Sequence, residues 1–105
     1  MLKAVFYKQG DRFSGFSVSG HAGYGTEGND IVCASISSAV MLVCNTVTEF
    51  FGVQADVRVL ENEITLSLRE ENVPAEQLLA SFHQHIKFIA EDYSKIKLET
   101  RLTGG

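Results

Sequence analysis

The chain predicts an α+β fold, a two-layer α/β sandwich in ββαββαβ order, with a largely antiparallel sheet and two helices on one face. Three observations lead there. Two pairs of alternating segments each meet at a short polar turn, and each pair precedes a stretch with helical spacing of apolar residues. A last alternating segment follows the second helix. Helices with one apolar stripe must cover a sheet with one apolar face, and a single layer of two helices does so most economically.

Met1 to Lys8 alternates and is rich in Val, Phe and Tyr, as a strand should be. Gln9-Gly10-Asp11 supplies a turn, and Arg12 to Ser19 returns with Phe16 and Val18 on one face and Ser17 and Ser19 on the other. The segment from Gly20 to Asn29 holds Gly20, Gly23, Gly25 and Gly28, too little side chain for regular structure. Asp30 is a suitable N-cap, with Asn29 the neighbouring candidate, for a helix from Ile31 to Phe51, which Gly52 stops. Ile36, Ala39, Val40, Val43, Val47 and Phe50 follow helical spacing, and apolar residues cover more than half the circumference. Such a helix packs on the sheet and meets something else as well, a partner subunit being one candidate. Asp56 to Leu60, a Glu61-Asn62 turn and Glu63 to Arg69 form the second hairpin, with Ile64, Leu66 and Leu68 alternating with polar residues. Pro74 opens a second helix through about Tyr93, with Leu78, Leu79, Phe82, Ile86, Ile89 and Tyr93 as its buried stripe. Lys95 to Thr103 alternates through Ile96, Leu98 and Leu102.

Composition sets the outer bounds. A chain of 105 residues, 45% hydrophobic, supports one core and one domain over 1–105. No apolar run reaches the ~18 residues of a membrane span, because Asn45, Thr46 and Thr48 interrupt the longest one. A formal net charge of −4 and no Lys/Arg cluster disfavour direct nucleic-acid binding. With no export leader in view, the expected compartment is the cytoplasm, where Cys33 and Cys44 stay reduced.

The chemistry concentrates between Gly20 and Ser37. His21 follows a strand, glycines follow His21, and Cys33 falls in the first turn of a helix. A helix N-terminus stabilises a thiolate, and neutral imidazole can take the thiol proton. Helix position alone suits a small core cysteine among Ile31, Val32, Ala34 and Ile36 equally well. Cys44, about three turns deeper in the apolar stripe, reads as core. His83 and His85 sit two apart on a helix, project to opposite sides and read as surface residues, so no metal site is expected. Gly23-Tyr24-Gly25-Thr26-Glu27-Gly28 matches the dinucleotide fingerprint, but it follows a hairpin strand, and Glu27 and Asp30 put negative charge where pyrophosphate would sit. No Lys-Ser/Thr pair follows, so a phosphate loop fails too. No cofactor is expected. The glycines serve better as a loop that opens to admit a peptide. Asp30 caps the helix or orients His21, and Ser37, one turn from Cys33, can line the site.

With Gly20-His21-Ala22-Gly23-Tyr24-Gly25, Gly28-x-Asp30-Ile31-Val32-Cys33-Ala34 and Ser37, the chain resembles the bacterial ribosomal-processing cysteine protease family, Prp, over essentially its whole length. Ser35 departs from the alanine of many relatives without touching the motif pair. The resemblance implies a catalytic dyad of His21 and Cys33, a family aspartate at Asp30 and a mobile substrate loop. It implies a homodimer, and a substrate that is the N-terminal extension of the twenty-seventh protein of the large ribosomal subunit. The competing expectation is a non-catalytic domain that binds a ribosomal protein, with Cys33 a structural thiol. A thiol transferase is weaker still, because no Cys-x-x-Cys pair is present.

Overall fold

The structure, a computed structural model, describes residues 1–20 and 31–103. Strands β1 (Leu2–Gln9) and β2 (Arg12–Gly20) precede helix α1 (Ile31–Asn45), β3 (Ala55–Val59) and β4 (Glu63–Leu68) precede α2 (Val73–Asp92), and β5 (Ile96–Leu102) comes last. The ββαββαβ order and the α+β class are those the sequence predicts. The five strands lie in the order β3-β4-β2-β1-β5. Every pairing is antiparallel except that of β5 with β1, in which Leu2 faces Ile96 and Lys8 faces Leu102. The helical crossover through α2 permits that parallel pairing.

Alternation along the strands decides the two faces. Leu2, Ala4 and Phe6 of β1, Phe16 of β2 and Leu66 of β4 enter one core with Val32, Ile36, Val40 and Val43 of α1 and Leu79, Phe82 and Ile86 of α2. The Phe6 ring meets those of Phe16 and Phe82 at centroid distances of 5.9 and 5.5 Å, so the aromatic centre ties β1, β2 and α2 together. Opposite Phe6 in the pleat, β1 and β5 carry Lys3, Lys97, Glu99 and Arg101 on the open face of the sheet. Arg101 bonds Glu99 at 2.8 Å and Lys97 approaches it at 3.3 Å. These contacts hold the Glu99 carboxyl below its ordinary range.

α2 starts as its sequence requires. The Asn72 side chain accepts from the Ala75 N–H at 3.0 Å, and Glu76 reaches back to the Asn72 N–H at 3.1 Å. That reciprocal pair satisfies two donors at the helix start, and Pro74 needs none. α1 ends less regularly than predicted: residues Thr46–Phe50 continue it as a π-helical turn. Thr46 and Thr48 donate their hydroxyls to the carbonyls of Leu42 and Cys44, four residues back, at 2.7 and 2.9 Å. Hydroxyls bonded this way loosen the regular ladder, and the Phe51 N–H donates to Thr46. Gly52, at φ +65°, then reverses the chain.

The stretch Ile31–Phe50 is long and apolar enough, by length and composition, to cross a membrane, contrary to the expectation that Asn45, Thr46 and Thr48 break it. Those residues lower its hydropathy without adding charge, and Glu49 is the one charged residue of the segment. Val32, Ile36, Val40, Val43, Cys44 and Val47 are nevertheless spent on the core, so this is the packed helix of a sandwich.

Gly15 shows where the sheet tolerates no side chain. A Cβ there would run into the Leu66 carbonyl oxygen of β4, close to the register shift between Tyr7 and Lys8. Both neighbours are ladder backbone, which cannot move aside cheaply. Gly15→Ala is expected to cost about 1–3 kcal/mol, read as a lower midpoint in urea unfolding. An unchanged midpoint would show that the two strands separate freely at this point.

Candidate active site

Cys33 is the third residue of α1 and half-buried. Its neighbours Val32 and Ile36 anchor the helix start in the core. The first four N–H groups of any α-helix have no acceptor within the helix, so those of Ile31, Val32, Cys33 and Ala34 present a positive end. No acidic side chain lies in the first turn of α1, and no charged residue occurs anywhere in Ile31–Asn45. The helix's own side chains therefore place no carboxylate at that end, which suits an oxyanion formed beside it. Ser37 lies one turn on, nearly in line with Cys33, and is exposed.

His21, Ala22, Gly23, Tyr24, Gly25, Gly28 and Asp30, all singled out by the sequence, lie outside the described residues. Gly20, the first glycine of that group, belongs to the sheet as the last residue of β2, opposite Leu2. Its N–H donates to the Asn62 carbonyl at 3.1 Å, its φ is +85°, and a Cβ would collide with the Met1 carbonyl oxygen. The requirement for glycine here is thus set by close backbone approach and a left-handed φ. β2 ends at Gly20, and the described structure resumes with α1 at Ile31.

The other thiol and the other described histidines stand apart from this chemistry. Cys44 is buried in the core, and burial pushes its pKa up to about 11. Burial thus keeps the Cys44 thiol protonated at neutral pH. No group of His, Cys, Asp and Glu able to hold a metal occurs among the described residues. His85 is exposed as expected, but His83 is not a simple surface residue. Its ring packs against Phe6 and Phe13 at 5.0 and 5.1 Å, and its Nε2 lies 3.3 Å from the Thr100 hydroxyl. The aromatic neighbours come from β1 and β2, beyond the reach of helix periodicity.

Burial first, then Lys87 and Lys8, holds the His83 pKa below its ordinary value of 6.5. Below pH 6.5 the unfolded chain takes up a proton at this histidine that the folded chain refuses, so stability falls as pH falls. The loss begins at the ordinary histidine value and levels off below the depressed native one. The expected result is a lower melting temperature at pH 5 than at pH 7.5, with a smaller difference in His83→Phe, which keeps a ring between Phe6 and Phe13. An equal pH slope in the two proteins would remove His83 as its source.

Comparison with known families and structures places this arrangement. The family model described as "Cysteine protease Prp" matches residues 1–97. The essential ribosomal processing protease Prp from Staphylococcus aureus, solved with a covalently linked product peptide, superposes with a TM-score of 0.88 at 21% identity, covering 95% of this chain and 99% of that one. The same S. aureus protease with a substrate peptide gives a TM-score of 0.82 at 20% identity, covering 95% and 99%. SMU.848 from Streptococcus mutans gives 0.84 at 22% identity, covering 98% and 96%. Comparison with curated protein sequences finds no match.

Proposed function

Because this chain belongs to the cysteine protease Prp family, we propose that it is a ribosomal processing protease in which Cys33 is the nucleophile and His21 the general base. The observation that carries the reading is Cys33 in the first turn of α1, within a matched family. His21 takes the thiol proton, and the Cys33 Sγ attacks the scissile carbonyl carbon. Backbone N–H groups at the start of α1 hold the oxyanion. Collapse of the tetrahedral species breaks the C–N bond, and His21 returns the proton to the leaving amine. Water, activated by the same imidazole, then releases the new carboxyl terminus from the thioester. Asp30 is proposed to orient His21, Ser37 to line the site, and the glycine-rich segment from Gly20 to Asn29, with Tyr24, to receive the peptide.

The proposed substrate is the N-terminal extension of the twenty-seventh large-subunit ribosomal protein. A protein of net charge −4 suits a basic ribosomal partner. Its proposed setting is the cytoplasm and its proposed state a homodimer. Incubation with the extended ribosomal protein, followed by mass determination of the products, tests the reading. One cleavage that removes the extension is expected. An intact substrate that nevertheless binds the chain would favour the non-catalytic binding domain instead.

A further inference from the structure

Strand alternation sorts the charges of this chain between its two sides. Parity on β1, β3, β4 and β5 sends Lys3, Arg58, Lys97 and Arg101 to the face turned away from α1 and α2, together with Asp56, Glu63 and Glu99. Arg69, one residue beyond β4, joins them by approaching Asp56 at 3.8 Å. Cations outnumber carboxylates on this face, although the whole chain carries a net charge of −4. No two of these cations are adjacent in sequence, so the pattern exists only once the sheet has assembled.

The cations stand at two margins. At one, Lys3, Lys97 and Arg101 crowd a single carboxylate, Glu99, at 3.8, 3.3 and 2.8 Å. One carboxylate balances one of the three, and their side chains remain 41%, 56% and 52% exposed. At the other margin are Arg58 on β3 and Arg69 just past β4, and Asp56 answers one of them. Because β3 and β5 end the strand order, four strand spacings, about 19 Å, separate the outermost strands.

Between the margins lies an open groove of about 430 Å³ over β4, β2 and β1. Tyr7, Ser17, Thr65 and Ser67 line it with hydroxyls, and Glu63 stands at one end. Gly15 faces Tyr7 across the β1–β2 ladder and brings no side chain to cover the ring.

We propose that this face binds single-stranded RNA, with phosphates at the cationic margins and bases over the hydroxyl groove, one of them stacked on Tyr7. Guanidinium and ammonium groups bond phosphate oxygens, and an aromatic ring stacks on any base. Serine and threonine hydroxyls both donate and accept, so they bond base edges and 2′-hydroxyls without selecting one sequence. An acidic peptide would match the cations but leave the ring and the uncharged groove unused. The helices, Cys33 among their residues, lie on the other side of the sheet, so the proposal is independent of peptide hydrolysis.

Fluorescence anisotropy of a fluorescein-labelled, unstructured RNA of about twelve nucleotides, titrated with the full chain, tests it. At 50 mM salt the expected Kd lies roughly between 10⁻⁴ and 10⁻⁶ M, and three phosphate contacts would weaken it about twentyfold at 200 mM. Lys97→Glu/Arg101→Glu is expected to weaken binding at least tenfold, and Arg58→Glu, at the other margin, about threefold. Lys97→Gln/Arg101→Gln removes the charge without reversing it and decides the matter even where the reversal fails to fold. Tyr7→Phe should bind as wild type does, whereas Tyr7→Ala should lose roughly five- to a hundredfold, the worth of one stacked base. Lys87→Glu, the same change of charge on exposed α2, should leave binding unaltered. No anisotropy change up to about 500 µM protein would overturn the proposal, and so would wild-type binding by the Lys97/Arg101 variants. Displacement of the RNA by polyglutamate as readily as by unlabelled RNA would also overturn it, because charge alone would then account for binding.

Discussion

Cys33→Ala is expected to abolish cleavage of the extended ribosomal protein while leaving the fold intact. Under the proposed mechanism no other group forms the acyl intermediate, so the rate should fall at least ~1,000-fold. The substitution is small, half-buried and compatible with a helix, so the melting temperature should move little. Alkylation provides an independent readout. Iodoacetamide at pH 7 should label Cys33, with mass increasing by one adduct, and should leave Cys44 unmodified because burial pushes its pKa to about 11. Cys44→Ala should retain cleavage. Full cleavage by Cys33→Ala would eliminate the nucleophile assignment; a native Cys33 that resists the reagent would favour the non-catalytic binding domain.

The largest effect on stability is expected from Phe6→Ala. Phe6 is fully buried at the centre of the core, and its ring touches those of Phe13, Phe16, Phe82 and His83. Truncating a buried phenylalanine costs about 3–5 kcal/mol, against a typical total of about 5–15 kcal/mol for a domain. Wild type and Phe6→Ala unfolded in urea should differ by that amount, with the variant close to unfolded at 37 °C. Because Phe6 forms part of the cradle of His83, the variant should also lose part of the acid sensitivity assigned to that histidine. A loss below ~1 kcal/mol would mean that α2 and the sheet close over the gap.

Much of this was legible in the sequence because the relevant signals are local. Alternation placed the strands within a residue or two of their observed ends, and Gly52 and Pro74 sit where helices stop and start. The segment from His21 to Cys33 lies within the residues the family model matches. The π-helical turn was not legible. Periodicity records which side of α1 is apolar, but not that two threonine hydroxyls would bond back to Leu42 and Cys44. His83 was misread as a surface residue because its ring contacts, Phe6 and Phe13, lie some seventy residues away in sequence. The Lys3–Glu99 approach at 3.8 Å likewise depends on β5 running parallel to β1.

What the sequence determined alone was therefore the set of elements and most of the buried face of each, Phe50 and Tyr93 being exposed against expectation. Each follows from side chains within one or two turns of one another. Tertiary structure alone decided the strand order β3-β4-β2-β1-β5, the collision that keeps Gly15 a glycine, and the cradle of His83. It also decided that β3 and β5 are left at the edges. Hydrophobic patterning specifies that a surface must be covered. Which surface covers it is set by long-range packing, because an apolar stripe is satisfied equally by any partner of the right shape.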